Sequence, residues 1–245
     1  MEQVIFKDLG RIAYREAWDY QGQLLRELVD RKRANRQRRA AGQAEVRQQH
    51  YLLFCEHTPV YTLGKSGSAE HLLLNKAGLA EAGFEFYKIN RGGDITYHGP
   101  GQLVAYPIFD LDRFFTDVHR YVRYLEEAVI RTLADYGVIA RRMDGYTGVW
   151  LEQSESLPKR KICAIGVHLS RWVTMHGLAF NVQPDLQHFR NIVPCGIDEP
   201  DKDVTSLARE LDRPVDIEEV KNGLKAHFAE LFGFEWAALP AADAQ

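Results

Sequence analysis

The chain has 245 residues, 45% hydrophobic and 27% charged, enough to bury the core of a single domain. A formal net charge of −3 and a pI near 6.3 exclude a global basic field of the kind that holds a protein on nucleic acid or an anionic membrane, so any charge-driven contact must be local. The three cysteines, Cys55, Cys163 and Cys195, are odd in number and far apart, which excludes a disulfide framework or a short-spaced zinc site and predicts reduced thiols.

In chain order, the charged start Met1 to Asp8 lacks the apolar core of a secretory leader, and no run of about 18 apolar residues follows. A cytoplasmic protein without a membrane span is expected. A strand near Val4 to Phe6 leads into a helix from about Ala13, with Ala17, Gln21, Leu24, Leu25, Leu28 and Val29 on one stripe. That stripe gives way to Arg31, Lys32, Arg33, Arg36, Arg38 and Arg39, read as a helix end fading into a polar extension over 30–50. A docking patch for an acidic partner is the alternative reading. Strands are predicted at Tyr51 to Phe54, Phe86 to Ile89 and Gln102 to Phe109.

Between the last two lies Arg91-Gly92-Gly93-Asp94-Ile95-Thr96-Tyr97-His98-Gly99-Pro100-Gly101-Gln102. Its glycines let backbone amides approach a ligand, whereas neither the dinucleotide fingerprint nor the Walker spacing is present. It is equally readable as a tight turn, with Arg91 and His98 bonding backbone.

Next comes a helix whose apolar face is Val118, Tyr121, Val122, Leu125, Val129 and Leu133, stopped at Gly137. Strands follow near Val138 to Arg141, Gly148 to Leu151, Ile162 to Leu169 and Val173 to Val182, the last two joined tightly through Ser170 and Arg171. A closing helix begins at a capping box of Asp216 and Glu219, buries Ile217, Val220, Leu224, Phe228 and Leu231, and stops at Gly233. Without a strict βαβ repeat, the class is α+β, a mixed sheet flanked by helices, in one domain over 1–236 with a frayed tail over 237–245.

Ala164, Gly166, Gly177 and Ala179 are small residues on otherwise apolar strands, where they could leave room for an aliphatic chain or mark a bend. Burying about six methylenes there would contribute on the order of 5 kcal/mol. Cys195, between Pro194 and Gly196, sits in a turn-like setting suited to a reactive thiol, while Cys55 and Cys163 read as small buried hydrophobes. Strand alternation nevertheless puts Cys163 on the same face as Lys161, so spacing alone does not choose between the thiols. His98, His168 and His176 are possible general bases but form no metal set, and neither metal nor cofactor is expected.

Arg91-Gly92-Gly93 with Thr96, His98-Gly99-Pro100-Gly101-Gln102, Lys161-Ile162, Gly166, His176-Gly177-Leu178-Ala179, Asn181-Val182 and Pro194-Cys195-Gly196, in this order, resemble the lipoyl(octanoyl) transferase family. The resemblance implies the fold of biotin protein ligases and lipoate-protein ligases, and octanoyl transfer from octanoyl-acyl carrier protein to lysines of lipoyl domains and of the glycine cleavage H protein. It implies Cys195 as thioester nucleophile, Lys161 as its activator, and substrate contacts at Arg91, Gly92, Gly93, Asp94, Ile95, Thr96, Tyr97 and His98, at Ala164, Ile165 and Gly166, and at Gly177, Leu178 and Ala179. An ATP-dependent ligase on the same fold, needing no cysteine, and a non-catalytic module that binds carriers or lipoyl domains are the rival readings. A monomer is expected, with no nucleic-acid or membrane partner. The Arg-rich extension and the polar segment Glu152 to Arg160 depart from the family's compact pattern.

Overall fold

A computed structural model describes residues 1–153, 158–193 and 202–238. Among them a nine-stranded mixed sheet runs β12(Phe234–Ala237), β1(Glu2–Ile12), β2(His50–His57), β6(Gln102–Ile108), β10(Val173–Asn181), β9(Lys159–Ser170), β8(Tyr146–Leu151), β7(Arg141–Met143), with β11(Lys202–Val204) also paired to β9. β1 is parallel to both neighbours and β11 is parallel to β9, while the other pairs are antiparallel. A separate three-stranded sheet has the order β4(Glu85–Lys88), β3(Val60–Leu63), β5(Ile95–His98).

The large sheet is covered on both faces because its central strands alternate apolar side chains on each side. Leu52, Phe54, Leu103, Ala105 and Phe180 meet α3(Val118–Asp135) and α5(Ile217–Phe232). Leu53, Cys55, Val104, Tyr106 and Ala179 meet Ala17, Leu24 and Leu28 of α1(Tyr14–Ala40). Two short helices, α2(Lys76–Glu81) and α4(Leu207–Leu211), and three 3-10 turns at Ala69–His71, Leu111–Arg113 and Leu186–Asn191 complete the described elements.

Several boundaries differ from the sequence reading. α1 does not fade at Asp30 but runs to Ala40, since Arg, Gln and Ala are good helix formers and no glycine intervenes before Gly42. The chain then folds back: Asn35 exchanges side-chain hydrogen bonds with the backbone of Val46, and Arg38 donates to the carbonyl of Ala44. The strand expected at Val138 to Arg141 begins only at Arg141. The turn between β9 and β10 falls at Arg171 and Trp172, both with positive φ. Asp216 caps α5 by accepting from the amide of Glu218, not from Glu219 as a capping box requires. Ala237, assigned to the tail, closes β12 against β1, and residues 239–245 of that tail lie outside the described residues.

Candidate active site

A cavity of about 350 Å3 opens where β5 of the small sheet faces β9 and β10 of the large one, beneath the start of α1. Its apolar strip is built by register. Ala164 pairs with Ala179 and Gly166 with Gly177 across β9 and β10, and Ala179 pairs with Val104 on β6, so the four small residues form one patch. Val104, Ile165, Leu178 and Tyr106 border it. Two of the glycines are demanded by close approach. A Cβ on Gly177 would stand 2.1 Å from the carbonyl oxygen of Ala105, and one on Gly166 would stand 2.8 Å from that of Gly92.

The local cause is Pro107. The β10–β6 ladder ends at Leu178 and Ala105, and continuing it would set His176 opposite a proline that has no N–H to give. His176 takes a left-handed conformation, φ 60°, and its N–H donates instead to Gln21 Oε1 on α1. The ladder opens there, and the cavity occupies the opening.

The glycine-rich segment is anchored on this strip. Gly92 N–H donates to the carbonyl of Val167, while Arg91 is buried and its guanidinium donates to Thr62 O at 2.6 Å, Thr62 Oγ1 at 3.0 Å and Gly92 O at 2.9 Å. The expected loop is therefore partly strand. Thr96 and His98 line the cavity, whereas Ile95 and Tyr97, one residue out of phase on β5, turn into a separate core with Tyr61 and Phe189. Arg91, Gly93 and Asp94 also border the cavity; Gly92 contributes its backbone against β9 instead.

Lys161 borders the same cavity and is 7% exposed, its ammonium 4.6 Å from the centre of the Trp150 ring. Cys163 does not share its face. The β8–β9 register slips between Val149 and Trp150, so that Val149 pairs with Cys163 and Trp150 with Lys161. This bulge corrects the alternation argument: Lys161 goes to the cavity and Cys163 into the core. Burial raises the thiol pKa of both Cys163 and Cys55, which keeps them protonated and unreactive. Cys195, Pro194 and Gly196 lie outside the described residues.

Burial keeps three histidines around the cavity neutral. Burial lowers the pKa of His57 to about 4 and that of His176 to about 3, the latter helped by Arg91, and holds His98 well below its ordinary value. His98 has both ring nitrogens engaged, with Gln102 at 2.8 Å and Thr62 at 3.4 Å. His176 Nε2 meets Asn90 Oδ1 at 2.8 Å, and its buried Nδ1 has no hydrogen-bond partner among the described residues. His168, half-exposed on β9, stands apart from the cavity lining. Among the described residues no cluster of His, Cys, Asp and Glu could hold a metal, and no helix is long and apolar enough to cross a membrane.

Tyr14, Ser66, Tyr106 and the segment Gly145 to Thr147 also border the cavity and were not legible as site residues. Tyr14 lies in the first turn of α1, where its i, i+3 spacing to Ala17 reads only as core.

Residues 13–229 match the family model for the lipoyl protein ligase A/B catalytic domain. A protein of Cytophaga hutchinsonii called octanoyltransferase is 57% identical over 231 residues, 94% of this chain and 93% of that one. An octanoyltransferase of Christiangramia forsetii is 54% identical over 235 residues, 96% of this chain and 97% of that one. Among solved structures, lipoate-protein ligase A bound with ATP superposes with a TM-score of 0.67 at 18% identity, covering 98% of this chain and 89% of that one, a likeness of fold. The bipartite lipoate protein ligase of Thermoplasma acidophilum gives 0.66 at 16%, over 97% and 86%.

Proposed function

The chain belongs to the octanoyltransferases of the lipoyl protein ligase A/B catalytic-domain family, and we propose that it works through an octanoyl thioester on Cys195 activated by Lys161. The observation that carries this reading is Lys161 at the wall of a cavity whose floor is the Ala164, Gly166, Gly177 and Ala179 patch. That juxtaposition supports an aliphatic chain lying on the patch with its carbonyl end near an ammonium group. The donor is octanoyl-acyl carrier protein. The acceptors are lysines of lipoyl domains and of the glycine cleavage H protein.

A free thiol of pKa about 8.5 is a few per cent ionised at neutral pH, and an ammonium beside it raises that fraction. The Cys195 thiolate attacks the donor's thioester carbonyl, a new C–S bond forms, the old one breaks, and the carrier leaves as its thiol with a proton from the Lys161 ammonium, which becomes a neutral amine. The acceptor amine then attacks the acyl-enzyme, forming the amide and releasing Cys195. Lys161, no longer facing a thiolate, takes the proton the amine gives up. Arg91, Gly93, Asp94, Thr96 and His98 border the bound acyl group; neutral His98 and His176 serve as walls, since a charged imidazole would oppose an apolar chain.

Octanoyl transfer to a lipoyl domain, followed by intact mass, tests this. With octanoyl-acyl carrier protein and no ATP, the domain should gain one octanoyl group. Transfer that instead requires ATP and free octanoate would make the protein a ligase, and no transfer by either route would make it a binding module.

A further inference from the structure

The two sheets that face each other across the cavity share no strand pair. A file of buried hydrogen bonds joins them, and its direction is set by the backbone at two points. Gln102 Nε2 donates to the carbonyl of Tyr97 at 3.1 Å, so Oε1 is the atom that faces His98 Nδ1 at 2.8 Å, and that nitrogen carries the proton. The same Nε2 donates to Asn181 Oδ1 at 2.9 Å. Asn181 Nδ2 in turn donates to the carbonyl of Thr205 at 3.0 Å, and Thr205 N–H donates to the carbonyl of Lys161 at 3.0 Å. Glu210 holds the end of the file, accepting from Thr205 Oγ1 and gripping Arg160 with both oxygens, at 2.9 and 3.0 Å. Gln102, Asn181 and Lys161, with Thr96, also line a small enclosed cavity of about 20 Å3 behind the main one.

We propose that Gln102 and Asn181 are positioning residues: the file from His98 through Gln102, Asn181 and Thr205 fixes Lys161 relative to the glycine-rich segment. Neither amide borders the main cavity, and neither is needed to fill space that a hydrocarbon of the same shape could not fill. Their burial, 1% exposed for Gln102 and 4% for Asn181, makes every member of the file dependent on its neighbour, because a broken link leaves polar atoms unpaired in the interior. The inference rests on the reading of Lys161 as the group that ionises Cys195.

The alkylation rate of Cys195 by iodoacetamide, followed against pH on the intact chain by mass, reports that ionisation, since Cys55 and Cys163 are buried. Wild type should show a midpoint below about 8.5, and Lys161→Met should move it upward. Without both results the thioester reading fails, whatever the network does. With them, Asn181→Ala and Gln102→Met should each raise the midpoint by about half a unit or more, or cut the rate at neutral pH about threefold. The double variant should shift it no further than the larger single, because one file is broken only once. Arg91, Asp94, His98 and His176, the other charged or basic groups on the wall, are retained in all these variants, and Asn181→Ala also leaves the Gln102 partner of His98 untouched. Should Asn181→Ala fail to fold, Gln102→Met, which keeps the side-chain shape, carries the test. Unmoved midpoints in folded variants, with Lys161→Met still shifting, would overturn the proposal.

Discussion

Two groups of cations contrast in their surroundings, Arg91 and Lys161 on the cavity wall and Arg31 to Arg39 at the far end of α1. Arg91 and Lys161 are each 7% exposed, held by a carbonyl cluster and by an aromatic face. The helix-end cations are exposed or half-buried and answered nearby: Arg33 by Asp30, Arg39 by Glu45, Lys32 by Asp110 and Asp112, and Arg31 by the carbonyl of Arg47. Tyr14 and Lys32 are 18 residues apart on one helix, about 27 Å along its axis, so that cluster lies well away from the cavity that Tyr14 borders. Charge density along the sequence was greater at the helix end. Burial decides which cations can act, because a desolvated ammonium perturbs its neighbours and an exposed one is screened.

The largest expected effect belongs to the buried region. Lys161→Met should slow octanoyl transfer to a lipoyl domain at least about 100-fold, near 3 kcal/mol on the barrier, in a rapid-quench assay. An unchanged rate would reduce Lys161 to the rank of the helix-end cations. Gly177→Val should come next, since its Cβ meets backbone. A loss of about 3 kcal/mol is expected, read as a fall in Tm of roughly 6–12 °C for a chain of this size. Gly166→Ala, whose Cβ presses on the Gly92 carbonyl, should lower acylation about tenfold, with a smaller fall in Tm than Gly177→Val.

The buried imidazoles give a pH dependence that the helix end cannot. His57 and His176 remain neutral in the folded protein down to about pH 4 and about 3, whereas an unfolded histidine protonates near 6.5. Their contribution is complete above about pH 6.5 and is lost as pH falls below it, at about 1.4 kcal/mol per unit for each. Burial also lowers the pKa of His50 and His98, so denaturant unfolding between pH 7 and 5 should show at least the slope of His57 and His176, and His57→Gln should remove one histidine's share of it. The smallest effect is expected at the helix end. Replacing Arg36, Arg38 and Arg39 together by Gln should change transfer less than about twofold at physiological ionic strength. A large loss at low salt would restore this cluster as a carrier-docking patch.

The sequence made the small-residue strip legible because i, i+2 spacing on a strand is local information, and the same holds for α3 and α5. It did not show β3, since Val60 to Leu63 pairs with segments 25 and 35 residues downstream. The bulge that parts Lys161 from Cys163 depends on the register with β8, and the placement of Tyr14 depends on how α1 crosses the sheet. Gln102 and Asn181 were visible as motif residues, but their link through Thr205 to Lys161 exists only once three separate strands are side by side.

The central claim is a covalent intermediate, and the intact mass of the protein itself tests it most directly. After brief mixing with octanoyl-acyl carrier protein and no acceptor, wild type should gain one octanoyl group, labile to hydroxylamine, and Cys195→Ser should gain none. A wild-type protein that never carries the adduct while still modifying a lipoyl domain, or a Cys195→Ser variant that carries it, would contradict the account.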